Sequence, residues 1–387
     1  MNISSTLKLL FFLYTTISSF FKSDIVNERQ RRAFVNYPSL KWKHFPIKYK
    51  IDSNLSDTTI ISTLKTISSE TCISFQQATN FNGDGIHFTL GTSTTTTLGK
   101  VLGNKPSMVY ITKEHMNSNT IIERLVLRVL GVIYEHNRPN RDRFINVNYQ
   151  NLKTEYKYLF NKQLKNSVLT YGVNYDFGSR MHFNKSEGSK SNLAAFESKK
   201  SVFDYILGRT VKYSFNDIKL LNYHYCSSTC SKVAGIKCYN KGYQSPKNCS
   251  KCSCPHFFDG DSCENYKTST DKSCGSSILT AESTAKTIYF QGPQKCFKRI
   301  HASKGKKIHI LFLSSNYTNI KPCPIETGLE ILYLTDKSVS GPLFCGNVKQ
   351  KSLTSEDNVI LLKFSDNSSN FSIKIGYVAV RRIKISW

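Results

Sequence analysis

Six of the chain's twelve cysteines fall within 34 positions: Cys230, Cys238, Cys249, Cys252, Cys254 and Cys263. So short a stretch cannot bury enough apolar surface to hold a fold, and it must be stapled by disulfides. Such bonds belong to an oxidising compartment. Cys72 stands alone in the first half, and Cys226, Cys274, Cys296, Cys323 and Cys345 complete an even count. The N-terminus agrees with this. Lys8 precedes the apolar run Leu9-Leu10-Phe11-Phe12-Leu13-Tyr14, and Ser18-Ser19 follow, the layout of a secretory signal peptide over residues 1–19. No later run reaches the ~18 apolar residues of a membrane span. The expectation is a secreted, extracellular protein with no membrane span. Arg29-Gln30-Arg31-Arg32 reads as a dibasic signal for a convertase, which makes 20–32 a short propeptide and Ala33 the mature N-terminus.

The 387 residues exceed one compact core and suggest two or three domains. Lys and Arg number 53 against 27 acidic residues, a formal charge of +26 that excludes an acidic tail and admits polyanions such as acidic glycans as partners. The basic residues are scattered, no run forms a basic arm, and no nucleic-acid partner is expected. From Ala33 to about residue 225 the pattern mixes helix and strand. Ile47, Tyr49 and Ile51 alternate as a strand, and Val109-Tyr110-Ile111 is a second candidate. Asp57 can cap a helix with the stripe Ile60, Ile61, Leu64 and Ile67. Asn119 or Thr120 opens an apolar helix, Ile121 to Leu130, stopped by Gly131. From Cys274 onward short alternating strands at 308–312, 329–333, 359–362 and 371–375 are separated by Ser/Asn/Gly turns, which argues a β-sandwich.

Within residues 124–149, Gly131, Glu135, His136, Arg138, Arg141 and Asp142 resemble the tail of the signature HExxHxxGxxHE followed by HxRxDR. That signature belongs to the astacin family of zinc metalloendopeptidases. Ser179-Arg180-Met181-His182-Phe183 resembles the family's Met-turn, SxMHY, with Met181 as its methionine. The order that follows, six clustered cysteines and then a segment opening on Cys274-Gly275, is similar to nematode astacins with EGF-like and CUB domains. The resemblance implies an α+β fold: a metzincin-type peptidase domain at 33–228, a small disulfide-rich EGF-like module at 229–266 and an all-β CUB sandwich at 274–387.

The resemblance also implies roles by position. Two His one helical turn apart and a third beyond the glycine ligate zinc, and the Glu after the first His is the general base. Aligned on Gly131, the ligand positions hold Arg124, Arg128 and Tyr134, and the base position holds Leu125. The Met-turn tyrosine corresponds to Phe183, which has no hydroxyl. Arginine stays protonated and leucine has no lone pair, so none of these residues can do the family's chemistry. No other histidine pair, among His115, His136, His182 and His224, stands at metal-ligand spacing. No cofactor is expected in place of the family's zinc. The acidic residue that calcium would need shortly after Cys323 is not evident.

Phe21-Lys22-Ser23-Asp24-Ile25 resembles the family's propeptide motif, in which the Asp reaches the zinc. After cleavage at Arg32, the family pattern brings the Ala33 ammonium to Glu135. It further implies Cys72–Cys226, then Cys230–Cys249, Cys238–Cys252 and Cys254–Cys263, then Cys274–Cys296 and Cys323–Cys345. Both cysteines of the family's hairpin bridge, near Leu98 to Gly103, are missing. Sequons at Asn54, Asn184, Asn316, Asn367 and Asn370 fit a glycoprotein, with Asn248 beside a disulfide cysteine. Arg124 and Arg128 either both snorkel to solvent or both face the cleft as an anion-binding pair, first for Asp24 and then for an acidic partner. The expected function is a catalytically inactive pseudoenzyme that binds extracellular proteins, peptides or matrix. The alternatives are an active zinc endopeptidase and an adhesive scaffold binding glycans.

Overall fold

The computed structural model describes residues 34–381 apart from 81, 192, 209–212, 234, 317–322, 324–326, 349 and 368–369. The signal peptide, the propeptide, Asp24, Arg32 and Ala33 lie outside the described residues. Phe34 is fully buried and forms β1 (Phe34–Val35) with its neighbour. In β2 (Ile47–Ile51) Ile47 and Tyr49 face inward and Lys48 outward, as the alternation predicts. Helix α1 (Thr58–Glu70) buries Ile60, Thr63, Leu64 and Ile67, while Ile61 is only half-buried. Asp57 precedes this helix but does not cap it through its side chain: its backbone is already helical, which turns the carboxylate away from the first free N–H groups.

Strands β3 (Phe75–Gln77), β4 (Ile86–Leu90), β5 (Thr95–Thr96) and β6 (Ser107–Ile111) join β2 in a five-stranded sheet of order β3-β2-β4-β6-β5. Only the edge strand β5 runs antiparallel to its neighbour. Helix α2 (Asn119–Val129) follows Ser118 and ends one residue short of the apolar run, with Leu130 at its C-cap. Gly131 then takes φ +96°, a conformation that side chains disfavour, and the chain reverses. The sheet and these two helices bury one apolar cluster that includes Leu125, Val126 and Val129 of α2.

Beyond Gly131 regular structure is sparse. β7 (Ile145–Val147) and β8 (Val168–Leu169) pair with β9 (Phe196–Ser198) and β1 respectively. Helix α3 (Phe215–Tyr225) opens on a capping box in which Ser214 and Asp217 each accept the other's backbone N–H. It ends at Cys226, which is bonded to Cys72.

The cysteine-rich stretch folds into two small ladders. One pairs β10 (Tyr243–Gln244) with β11 (Cys252–Ser253), and the other pairs β12 (Phe258–Asp259) with β13 (Asn265–Tyr266). Its disulfides are Cys230–Cys249, Cys238–Cys252 and Cys254–Cys263. A β-sandwich follows. One sheet orders β14 (Ile278–Thr280), β16 (Gln294–His301), β21 (Val359–Asp366), β18 (Gly328–Leu332) and β19 (Leu343–Phe344). The other orders β15 (Lys286–Gln291), β22 (Ser372–Arg381), β17 (Lys306–Asn316) and β20 (Ser352–Thr354). Cys274–Cys296 and Cys323–Cys345 bridge within it.

The sandwich does not stand apart from the first domain. Ile145, Phe160, Phe183 and Phe203 share one apolar cluster with Phe290, Ile331, Phe344 and Phe364. Asn174 donates to Asp336 at 2.7 Å, Asn216 to the Ser338 carbonyl at 3.2 Å, and the Ser340 N–H to Asp176 at 3.2 Å.

Candidate functional site

The apolar face of α2 places its two arginines one turn apart, because positions i and i+4 share a helical side. Arg124 is only 6% exposed. Its Nε donates to the Arg180 carbonyl at 2.9 Å, Nη2 to the His182 carbonyl at 2.7 Å and Nη1 to Glu187 at 2.6 Å. The guanidinium also lies 5.0 Å from the centre of the Phe183 ring. Arg128 lies instead over the Tyr134 ring at 4.6 Å. For Arg124 this corrects the expectation of a guanidinium that either snorkels to solvent or waits in the cleft for an anion, while Arg128 lies half-buried over the Tyr134 ring. Arg124's donors are committed to Glu187 and to carbonyls of the turn at 179–183, because a buried guanidinium must find acceptors. No vacant pair remains for Asp24 or for an acidic peptide.

The other motif residues pin the chain around this centre. Leu125 is 4% exposed and belongs to the core of the first half. Tyr134 packs against Phe183 at 4.6 Å between ring centres and stacks on His136 at 5.2 Å. Met181 is buried; its carbonyl accepts the Glu135 N–H at 3.0 Å. The turn is anchored from a second side by Asp217 of α3, which accepts from Ser179 Oγ at 2.6 Å and from the Arg180 N–H at 2.8 Å. Arg180 pairs with Glu123 of α2 at 2.5 Å. Glu187, Glu123 and Asp217 carry no site signal in the sequence. Only the Ser214–Asp217 spacing, a capping-box pattern, could have flagged the last.

Glu135 is buried, not a surface carboxylate. It pairs with Arg138 at 2.8 Å and accepts the Asp176 N–H at 2.8 Å. Burial pushes its pKa up to about 7 against the opposing pull of Arg138. The Ala33 ammonium expected here lies outside the described residues, and the cation in contact with Glu135 is Arg138. Arg138 also donates to the Val173 carbonyl at 2.8 Å, and Arg141 to the His136 and Phe160 carbonyls at 2.9 and 2.7 Å. His182 is held between the Tyr175 hydroxyl at 2.7 Å and the Phe183 carbonyl at 2.8 Å, and burial lowers its pKa to about 4. His136 contacts the Leu159 carbonyl at 3.2 Å, and burial lowers its pKa too. His115 meets Thr94 at 2.7 Å, and His224 meets Tyr171 at the same distance. Each of these four histidines contacts a carbonyl or a hydroxyl of the protein.

The residues that the resemblance places at the zinc positions do not suit a metal ion by their chemistry. A guanidinium has no lone pair to offer, each nitrogen of Arg124's already donates to a carbonyl or a carboxylate, and Leu125 has no group that could move a proton. Among the described residues no group of three His, Cys, Asp or Glu is arranged to hold a metal ion.

A parallel-rich sheet with one antiparallel edge, a helix ending on a left-handed glycine, a buried methionine turn beneath it and a closing helix define a metzincin-type peptidase fold. Residues 34–226 match the Astacin peptidase family, and the chain belongs to that family. It is 29% identical to zinc metalloproteinase nas-34 of Caenorhabditis elegans over 355 residues, covering 90% of this chain and 58% of that protein. It is 25% identical to zinc metalloproteinase nas-27 of the same species over 345 residues, covering 83% of this chain and 79% of that one. The chain thus spans little more than half the length of the first of these. Among solved structures it is similar to high choriolytic enzyme 1, a hatching enzyme zinc-protease of medaka fish. That match has 24% identity and a TM-score of 0.44, covering 49% of this chain and 96% of that one. It is also similar to the CUB1-EGF-CUB2 domains of human MASP-1/3, with 17% identity and a TM-score of 0.23, covering 39% of this chain and 56% of that one.

Proposed function

We propose that this chain is a secreted astacin-family protein without proteolytic activity, acting by binding extracellular proteins or peptides. The observation that carries the reading is Arg124: where the family places a metal ligand, a buried cation binds Glu187 and the carbonyls of Arg180 and His182. The helix and the turn beneath it are joined by directed N–H donors, a task that needs no metal. Secretion is supported by the leader at 1–19, the processing signal at Arg29–Arg32 and six disulfides with no free cysteine among the described residues. Glycosylation is supported by sequon asparagines exposed at Asn54, Asn316, Asn367 and Asn370. The test is metal analysis together with a broad peptide-cleavage screen on the processed protein purified from a secreting host. The expected result is substoichiometric zinc and no chelator-sensitive hydrolysis. Stoichiometric zinc with cleavage that a chelator abolishes would overturn the reading.

A further inference from the structure

Where the peptidase domain meets the sandwich there is a cavity of about 300 Å³. That size lies at the small end of ligand pockets, which run from ~300 to 1,000 Å³. One wall is aromatic: Phe144 stacks on Tyr175 at 4.4 Å and Phe177 stacks on Phe203 at 4.3 Å between ring centres. The Tyr175 hydroxyl is committed to His182, so Tyr175 offers its ring alone. The sandwich contributes Leu334, Val339 and Ser340 to the lining. Two cations, Arg143 and Lys200, complete the lining, and both side chains are exposed. Lys200 is engaged by Glu356 at 3.3 Å. Arg143 has no side-chain hydrogen bond or ion pair among the described residues, since its neighbour Asp142 is taken by Arg141 and Lys162.

We propose that this interdomain cavity is a binding site for a small aryl carboxylate, with the aromatic ring between the Phe/Tyr wall and Val339 and the carboxylate on Arg143. An aromatic wall accepts a ring in edge-to-face or offset geometry. A single free guanidinium matches one carboxylate in a two-pronged contact. A phosphate is disfavoured: two charges would face one free cation and apolar walls that cannot solvate the second. None of the α2 residues lines this cavity, and the site does not depend on whether the protein hydrolyses peptides.

Binding of 3-phenylpropionate to the full processed chain, followed by ligand-observed NMR and calorimetry, tests the assignment. Expected is saturable binding at one site, with acetate and 3-phenylpropan-1-ol each at least about tenfold weaker. Arg143→Gln, an exposed change, should bring the acid down to the affinity of the alcohol. Val339→Trp should fill the cavity and abolish binding of both; should that variant misfold, the Arg143→Gln comparison stands alone. Equal affinity of acid and alcohol in the parent, or an acid affinity unchanged in Arg143→Gln, would overturn the site. An acetylated peptide ending in a free Phe carboxylate should bind no better than the free acid. A tenfold gain for the peptide would overturn the small-molecule assignment.

Discussion

Arg124 uses Nε, Nη1 and Nη2 inside the protein, on two carbonyls and a carboxylate. Arg128, one turn later, lies half-buried on a tyrosine ring. The two should therefore respond very differently to the same substitution. Glu187 is only half-buried, but the carbonyls of Arg180 and His182 are buried, and leaving such acceptors unsatisfied costs about 1–3 kcal/mol. Arg124→Gln should lower unfolding stability by that amount, whereas Arg128→Gln should cost under about 1 kcal/mol, the scale of a partly solvated cation–π contact. Urea unfolding of the two variants against the parent measures both, and equal losses would contradict the buried role of Arg124. The same contacts bear on restoring the family's residues. The combined change Arg124→His, Leu125→Glu, Arg128→His and Tyr134→His should recover no peptide hydrolysis in zinc and should melt lower. Phe183 still lacks the hydroxyl, Glu187 loses its cation, and a carboxylate enters an apolar core position. Robust chelator-sensitive cleavage by this variant would show that those obstacles are unimportant.

At the scale of elements, α3 carries a pH-sensitive contact. His224 stacks on Phe34 of β1 at 4.1 Å and receives or donates at Tyr171, while its own carbonyl accepts from Lys41 at 2.5 Å. Burial, aided by the charge of Lys41, lowers its pKa from 6.5 to about 3. A group held neutral in the fold in this way contributes stability that is full above pH 6.5 and declines as pH falls toward about 3. The total is about 5 kcal/mol. Glu135 and Asp176 work the other way. Burial raises them to about 7 and about 6, so their contribution is present in acid and fades as pH climbs through those values. Comparing His224→Phe with the parent isolates the histidine. The melting temperature of the variant should gain on the parent steadily from pH 7 to pH 4, and a flat difference would refute the assignment. Much of this half of the molecule was legible in the sequence. Alternation located β2, and the apolar run with its glycine located α2 to within two residues. What held the centre together was not legible. Glu187 stands 63 positions beyond Arg124, and a charge pair across folded loops leaves no period in the chain.

For the whole molecule, the question is whether the sandwich is a separate bead or part of the peptidase domain. The strands of the sandwich were readable one by one, yet its docking was not, because residues such as Phe203, Tyr205, Tyr333 and Phe344 read as ordinary core on either side. In the structure Phe203 meets Tyr333 at 6.0 Å and Tyr205 meets Phe344 at 5.7 Å between ring centres. Inter-domain surfaces default to modest, polar contacts that permit relative motion, and a continuous apolar cluster with hydrogen bonds around it argues against that default here. A particularly close approach is at Gly178, where an added Cβ would stand 2.4 Å from Ser340 Oγ and 2.5 Å from Ser340 Cβ. Gly178 does not take a positive φ, so a side chain there is opposed by the sandwich and not by the backbone. The parent should accordingly unfold in one calorimetric transition, with calorimetric and van't Hoff enthalpies in agreement for residues 34–381. Gly178→Val should wedge the contact at Ser340 and separate the melting of the two parts, the sandwich keeping its own disulfides and core. Adding Ser340→Gly to Gly178→Val should relieve the clash at the new Cβ and restore the single transition. Two transitions already present in the parent would mean that the shared cluster does not couple the domains.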